Sequence, residues 1–426
     1  MQSTSRAIVV GGGLAGLVAT RHLAGAGLEV TLLERAETVG GRVRTVERNG
    51  FRFDRGFQVL FTDYPAVKRE LDLDDLDLRR FSPGATIARP NHRSTLSDPL
   101  REPSALGATL FNPDVSLSDK LRVARLQWTL RRTDLEEIFR GSDESIDSYL
   151  RDRGFSDRFL ENFVEPFYGG ITLDRSLSTS KRVFEYTFRT LATGSIAVPA
   201  EGMGAIPAQL ADRVRDEGAT IQTGDEVESV STVDDSSVTV RASNGEHEAD
   251  AVVVATDPPT ARDLTGVDAI PTDGRGCVTQ YYTLPERVEL ETGKRLLLNA
   301  GDDGPNQIVP HSEVAPEYAP DDRILLSGTY LGEPDADDEE LADRSRSALE
   351  SWYPQRSLDG FEHVHTERVP FAQFDQPPGI HDDLPGTRDP DGPVYLAGDY
   401  THWSSIQGAM ESGQEAAKAV LEDLSR

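Results

Sequence analysis

Residues 7–16 read AIVVGGGLAG, an apolar run that ends in three glycines and continues into small residues. The run Ala7 to Val10 predicts a buried strand, Gly13 to Ala26 a helix, and Glu29 to Glu34 a second strand. Glycines between a strand and a helix allow a tight turn and a close approach of the backbone to a ligand. The order therefore predicts a βαβ unit that binds a nucleotide, within an α/β fold.

Residues 11–16 complete the pattern G-x-G-x-x-G. The start of the following helix offers unpaired N–H groups and the positive end of its dipole, so pyrophosphate is expected there. Glu34 lies 23 residues after Gly11, a spacing at which a carboxylate can accept hydrogen bonds from both ribose hydroxyls. These features predict a dinucleotide but do not distinguish FAD from NAD. The turn residues expected at the cofactor are Gly11, Gly13, Leu14, Ala15 and Gly16.

Three further motifs accompany this turn. GGR at residues 40–42 follows Glu34, LAGD at 396–399 ends a predicted strand, and SIQGAMESG at 405–413 opens the last predicted helix. The whole set resembles the flavin amine oxidase superfamily, which includes phytoene desaturases and protoporphyrinogen oxidases. FVEPFYGG at 163–170 and Leu177-Ser178 are similar to its substrate-domain stretch, which indicates membership rather than a substrate.

The resemblance implies FAD, bound non-covalently, as the cofactor. It places Gly41 and Arg42 at the pyrophosphate, Gly56 and Phe57 near the flavin, Val227 at the adenine, and Asp399 at the ribityl and phosphate groups. A helix that starts near Ile406 would aim its dipole at the flavin pyrimidine, where negative charge appears on reduction. The cofactor residues expected outside the glycine turn are Glu34, Arg35, Gly41, Arg42, Gly56, Phe57, Val227, Gly398, Asp399, Ser405, Ile406 and Ala409.

Chemistry in this superfamily is removal of a hydride from carbon to flavin N5, carried mainly by the cofactor. Many of its amine oxidases use a lysine that is water-bridged to N5. None of the five lysines matches that motif, which weakens amine oxidation. Tyr400, His402 and Trp403 follow Asp399 and are candidates to line the active site, although packing or solvation explains Trp403 and His402 more simply. No catalytic residue is assigned.

At 426 residues the chain predicts two domains. The expected architecture is α/β, with an FAD-binding Rossmann-like (GR2-type) domain at residues 1–80, 195–265 and 380–426. An interleaved α+β substrate domain would take residues 81–194 and 266–379. Its first part, from about Phe81 to Leu191, has a helical composition, and the active site is expected between the domains.

The net charge of -29 excludes general binding of nucleic acids. Acidic clusters and few lysines resemble proteins of salt-adapted cytoplasms, and a polar start without a signal sequence predicts a cytoplasmic location. The single cysteine, Cys277, excludes an intrachain disulfide and a Cys-rich metal centre, and no metal is expected.

The leading hypothesis is an FAD-dependent oxidoreductase that takes a hydride from a C–H or C–N bond of a small or isoprenoid-like substrate, with an undetermined electron acceptor. Two alternatives stay open: an isoprenoid or carotenoid desaturase or isomerase at a membrane surface, and a non-redox protein like the GDP-dissociation inhibitors. The basic amphipathic stretch Lys120 to Arg132 predicts either peripheral membrane contact or a packed helix whose arginines pair with acids. Packing is favoured.

Overall fold

A computed structural model describes residues 4–97, 112–234, 237–301 and 303–425. Two large sheets organise these residues. The first is a five-stranded parallel sheet, whose strands in spatial order are Thr220–Thr223, Glu29–Glu34, Arg6–Val10, Ala251–Val254 and Val394–Leu396.

The parallel sheet is covered on both faces, as its apolar strands predict. Val9 packs into a core shared with the helices Leu14–Gly25 and Ile406–Leu424. Its neighbours Ile8 and Val10 point the other way, into a core shared with a small antiparallel sheet. The strands of that sheet are Val227–Asp234, Ser237–Ala242 and Gly245–Ala249.

The second large sheet has seven strands and is mixed. Next to one edge, Gly274–Pro285 pairs antiparallel with Arg323–Leu331 and with Glu362–Phe374. The helix Asp338–Trp352 packs on it through Leu349 and Trp352. The strands in spatial order are Glu362–Phe374, Gly274–Pro285, Arg323–Leu331, Gln307–Val309, Leu296–Asn299, Ala85–Arg89 and His92–Leu96.

The last two strands correct the expectation that the chain turns helical from about Phe81. Residues 85–96 form a β-hairpin that turns at Pro90 and Asn91, where Asn91 has φ of 58°. Asparagine tolerates this left-handed conformation at a turn, and the β-branched residues beside it favour strands. Helices do dominate the described residues from 117 to 193.

The remaining elements complete the described chain. Two small sheets consist of Thr45–Arg48 with Phe51–Asp54, and of Leu60–Phe61, Ile196–Pro199 and Leu78–Arg80. The α-helices are Leu14–Gly25, Pro65–Glu70, Leu117–Leu130, Leu135–Arg140, Ile146–Asp152, Asp157–Phe159, Glu165–Thr172, Lys181–Thr193, Ala205–Asp216, Pro258–Thr265, His311–Val314, Asp338–Trp352, Ile380–Asp383 and Ile406–Leu424. A π-helix spans Leu160–Val164, and 3-10 turns span Pro316–Tyr318 and Asp399–Thr401.

The α/β class predicted from the sequence is confirmed. Among the helices of the described ranges, none combines the length and the apolar character that crossing a membrane requires.

Candidate functional site

A cavity of about 710 Å³ lies where the carboxyl ends of the parallel strands approach the seven-stranded sheet. Val10 and Glu34 reach it from the ends of two parallel strands, and Cys277, Leu298 and Gln307 reach it from the seven-stranded sheet. Ligands of open parallel sheets bind at this edge, and the volume lies in the range of small-molecule sites.

The glycine turn forms one end of this cavity. Gly11 has φ of 105°, and a Cβ there would lie 2.6 Å from the carbonyl oxygen of Ala255. A Cβ on Gly13 would have no protein atom within 4 Å, so the backbone at Gly13 faces open space. No side chain caps the helix Leu14–Gly25 that starts here, which leaves its first N–H groups available to an anion.

Gly16 has a packing role, whereas the other predicted residues of the turn line the cavity. It does not line the cavity, and a Cβ there would lie 1.9 Å from the carbonyl oxygen of Gly11. Its small size therefore lets the helix pack closely against the turn.

Glu34 closes the same end. Its Oε2 accepts a hydrogen bond from the N–H of Gly12 at 2.7 Å, and its Oε1 accepts one from the N–H of Ala36 at 2.8 Å. The residue is 8% exposed and lies on the cavity wall. A carboxylate accepts about four hydrogen bonds, so two acceptor positions remain for ribose hydroxyls.

At the cavity, an ion pair between half-buried Arg42 and buried Asp399 links the N-terminal and C-terminal parts of the chain. Arg42 donates to Asp399 Oδ1 at 2.7 Å and to the carbonyl oxygen of Ala372 at 3.0 Å. Ser404 Oγ donates to the second carboxylate oxygen at 2.7 Å. Burial opposes the charge of Arg42, but Asp399 outweighs burial and raises the pKa of Arg42. The pair fixes the loop after Gly41 against the turn at Gly398.

Two further arginines, Arg44 and Arg55, line the same region and were missed in the sequence. Neither makes an ion pair within the described ranges, and the guanidinium of Arg55 donates to the carbonyl oxygen of Gly41 at 3.2 Å. Burial, followed by repulsion from Arg44, lowers the pKa of Arg55. A pyrophosphate would relieve that repulsion. Their place beside GGR at residues 40–42 was the available signal.

The helix Ile406–Leu424 directs its N-terminus into the cavity as well. Ser405 caps it, since Ser405 Oγ accepts from the N–H of Gly408 at 2.8 Å. Gly413 brings this helix against the first one, because a Cβ there would lie 2.3 Å from the carbonyl oxygen of Ala15. Two helix dipoles therefore point their positive ends at one cavity.

The structure brings nearly all the predicted cofactor residues to one wall. The predicted residues that line the cavity are Gly11, Gly13, Leu14, Ala15, Glu34, Arg35, Gly41, Arg42, Gly56, Phe57, Val227, Gly398, Asp399, Ser405, Ile406 and Ala409. Their contacts with a cofactor remain a prediction.

Only one of the three aromatic candidates faces this space. Trp403 lines the cavity. Tyr400 does not: it is fully buried beneath Gly398, and its hydroxyl donates to the carbonyl oxygen of Val254 at 3.3 Å. His402 does not line it either, and pairs with Glu415 at 3.1 Å. The 3-10 turn Asp399–Thr401 points these neighbours in different directions.

The described residues that segments 112–194 and 274–374 contribute to the cavity carry no charge. Its lining residues from the described segments 112–194 and 274–374 are Pro166, Phe167, Gly170, Ile171, Leu173, Val183, Thr187, Cys277, Leu296, Leu298, Gln307, Val369, Pro370, Phe371, Ala372 and Gln373. None of them is an acid, a histidine, a lysine or an arginine. Sequence patterns could not identify them, because four distant stretches contribute them.

Cys277 offers a direct probe of this chamber. Burial raises the pKa of the Cys277 thiol to about 11, so the thiol stays protonated at neutral pH and its alkylation should be slow, accelerating as the pH rises toward that value. The chain has one cysteine, so the total adduct measured by mass spectrometry reports this site. FAD should slow the reaction further. Alkylation at neutral pH as fast as that of a free thiol would contradict the burial of Cys277. The Cys277→Ser variant, which has no thiol, is the negative control.

Within the described residues there is no cluster of histidine, cysteine and acidic side chains that could hold a metal ion.

Comparison with known proteins supports a flavin site. A family model described as flavin containing amine oxidoreductase matches residues 14–421. Phytoene dehydrogenase of Streptomyces griseus is 32% identical over 289 residues, which cover 61% of this chain and 55% of that protein. Protoporphyrinogen oxidase 2 of Arabidopsis thaliana is 26% identical over 168 residues, 39% of this chain and 32% of that protein. The matches thus span about half or less of these curated relatives.

Solved structures match over the whole chain. An oxidoreductase from Methanosarcina mazei has a TM-score of 0.75 at 19% identity, covering 97% of this chain and 100% of that one. Cyclohexylamine oxidase from Brevibacterium oxydans has a TM-score of 0.70 at 19% identity, covering 99% and 100%. At such identities the likeness establishes the fold, and it confirms the predicted Rossmann-like fold class.

Proposed function

Since the chain belongs to the family of flavin-containing amine oxidoreductases and is accordingly an FAD-dependent oxidoreductase, we propose that it binds FAD non-covalently and oxidises an apolar, uncharged substrate at carbon. The observation that carries this proposal is the uncharged wall of the chamber beside the nucleotide end. FAD held there would supply a hydride acceptor, N5 of its ring, beside the chamber.

The nucleotide end fits FAD in charge and shape. The open backbone at Gly13 and the N-terminus of the helix Leu14–Gly25 suit a pyrophosphate, and Arg42, Arg44 and Arg55 supply positive charge. The N-terminus of the helix Ile406–Leu424 suits the flavin pyrimidine. Glu34 keeps acceptor positions for a ribose. We assign Gly56 and Phe57 to the flavin, because they continue the wall from this end toward the uncharged chamber.

We also propose the domain division 1–80, 195–265 and 380–426 for FAD, and 81–194 and 266–379 for the substrate. It is supported by the origin of the strands. The parallel sheet draws its strands only from the first set, and the seven-stranded sheet draws its strands only from the second.

An uncharged chamber selects against cations. Moving an ammonium group from water into walls without a carboxylate is strongly unfavourable, and the described residues of the two substrate segments contribute no acid to the lining. A neutral substrate avoids the cost of burying a cation, and its oxidation at carbon would transfer a hydride to the flavin and release a proton from the neighbouring carbon to water. The apolar walls bind such a molecule by excluding water, and a dry chamber also protects the reduced state.

Gln307 and Tyr64 each place a polar group on the walls of the chamber. Gln307 is 2% exposed, and its Oε1 accepts from Asn306 Nδ2 at 2.5 Å, whereas its Nε2 has no partner within the described ranges. The hydroxyl of Tyr64 likewise makes no hydrogen bond there. We assign both groups to recognition of a neutral polar atom on an otherwise apolar substrate.

Gln307→Leu tests this assignment. Loss of one neutral hydrogen bond, worth about 0.5–1.5 kcal/mol, should raise KM roughly 2- to 12-fold and leave the affinity for FAD unchanged. Tyr64→Phe removes a single hydroxyl and serves as the matched second variant. If KM of both variants equals that of the parent, these groups do not contact the substrate.

Anaerobic reduction of the flavin tests the proposed function. Neutral apolar polyenes in detergent should bleach the flavin of the purified holoenzyme, and primary amines at the same concentrations should not. Amine-dependent bleaching with peroxide release in air would instead identify an amine oxidase and overturn the proposal. The alternative of a non-redox binding protein is not favoured by the comparisons.

A further inference from the structure

One helix exposes large apolar side chains on its outer face. On Leu117–Leu130, the exposed fractions are 62% for Leu117, 65% for Leu121 and 60% for Trp128. Spacings of four and seven residues put these three side chains on the same side of the helix. They form half of the large hydrophobic residues that are exposed in the described ranges; the others, Val46, Val233 and Leu424, lie on separate elements.

The fold does not need this outer face. The opposite face holds the helix in place, since Leu126 and Leu130 are 7% and 3% exposed and pack into a core with Phe159 and Phe184. Arg131 also donates to the carbonyl oxygen of Ala192 in the neighbouring helix. The packed-helix expectation from the sequence thus holds for one face and leaves the other open.

Basic side chains flank the exposed apolar ones. Lys120 and Arg125 lie to either side of Leu121 on the helix, and the guanidinium of Arg132 lies 4.0 Å from the ring centre of Trp128. Arg125 has no acidic partner in the described ranges. The sequence expectation that the arginines pair with acids holds for Arg122, which pairs with Asp119 at 3.3 Å.

We propose that the face formed by Leu117, Leu121 and Trp128, with Lys120, Arg125 and Arg132 around it, docks on an anionic lipid membrane. We call this set of six residues the docking face. Apolar side chains bordered by cations are the pattern that lies in a bilayer interface, where acyl chains take the apolar groups and anionic headgroups take the cations. The charge of the docking face is opposite to the net charge of -29 of the whole chain.

The position of the docking face suits an apolar substrate. The helix behind it packs against Lys181–Thr193, and Val183 and Thr187 of that second helix line the cavity. Docking would therefore place the chamber wall about one helix layer, roughly 8–10 Å between axes, from the lipid. The docking itself does not depend on the proposed function.

Vesicle binding by the full-length holoenzyme tests the proposal. Vesicles of phosphatidylglycerol and phosphatidylcholine should sediment the protein, and vesicles of phosphatidylcholine alone should do so far less. Trp352 and Trp403 are buried, so a blue shift of tryptophan fluorescence on binding reports Trp128. This shift should be absent in Trp128→Phe.

A triple variant, Leu117→Ser with Leu121→Ser and Trp128→Ser, should lose at least about tenfold in partitioning. Val46→Ser with Val233→Ser, which also removes exposed apolar groups, is the matched control and should partition like the parent. FAD content and circular dichroism identify misfolded variants, while Leu121→Ser alone gives a milder version of the same test.

Three results would overturn the proposal: no sedimentation with anionic vesicles at low and at high salt, equal partitioning of the triple variant and the parent, or a dimer that the triple variant abolishes. The last result would assign the docking face to a second copy of the chain. Anaerobic bleaching of the flavin by polyenes in detergent, which needs no membrane, should persist in the triple variant, so a failure of docking is distinguishable from a failure of the proposed function.

Discussion

Glu34→Ala is expected to weaken FAD binding about 10- to 150-fold, from roughly 1.5–3 kcal/mol for hydrogen bonds to a charged group. The carboxylate is held in place by the N–H groups of Gly12 and Ala36, so it faces the cavity without needing to reorder. Alanine removes its acceptors and also releases the N–H of Gly12 in the phosphate turn. Titration of the apoprotein with FAD measures the loss.

Glu34→Gln is the matched control. It keeps the side-chain length and one acceptor oxygen but loses the charge, so its affinity for FAD should lie between those of the parent and the alanine variant. An affinity in Glu34→Ala equal to that of the parent would contradict the orientation assigned to the nucleotide.

Arg42→Met is expected to destabilise the FAD-free protein by about 3–5 kcal/mol, because it leaves a buried carboxylate without its cation. The side chain of Asp399 is 3% exposed, and after the change its remaining partner is Ser404 at 2.7 Å. Denaturant unfolding of the apoprotein measures the difference in the free energy of unfolding.

The double variant Arg42→Met with Asp399→Asn separates the charge from the packing. Removing both charges should restore much of the lost stability, as expected when a buried pair is replaced as a unit. It should not restore FAD affinity, because the positive charge near the pyrophosphate is still missing. Equal stability of the single variant and the parent would mean that Asp399 is not a buried anion in solution.

The parts of the site that the sequence predicted are those fixed by short-range geometry. A glycine at position 11 is required by φ of 105°, and Glu34 follows at the end of the next strand, so both can be located by counting. The start of the last helix at Ile406 was also placed correctly, because its serine cap and small residues mark it.

The parts of the site that the sequence did not predict depend on how distant segments meet. Tyr400 and His402 neighbour Asp399 in sequence, yet a single 3-10 turn rotates them away from the cavity. Arg44 and Arg55 flank the hairpin of Thr45–Arg48 and Phe51–Asp54, and the pairing of its strands brings the two arginines together. The hairpin at residues 85–96 was not predicted, because the composition from about Phe81 to Leu191 as a whole favours helices. Asn91, a residue typical of turns, was the local signal for it.

We expect FAD to occupy the cavity between the two large sheets. The most direct test is the visible spectrum of the purified full-length protein, followed by analysis of the nucleotide released on heating. We expect a yellow protein that releases one FAD per chain and becomes colourless, and a Gly13→Val variant, in which a side chain fills the phosphate turn, that folds without FAD. A colourless parent that binds no added FAD, or a flavin that stays attached after denaturation, would contradict the account.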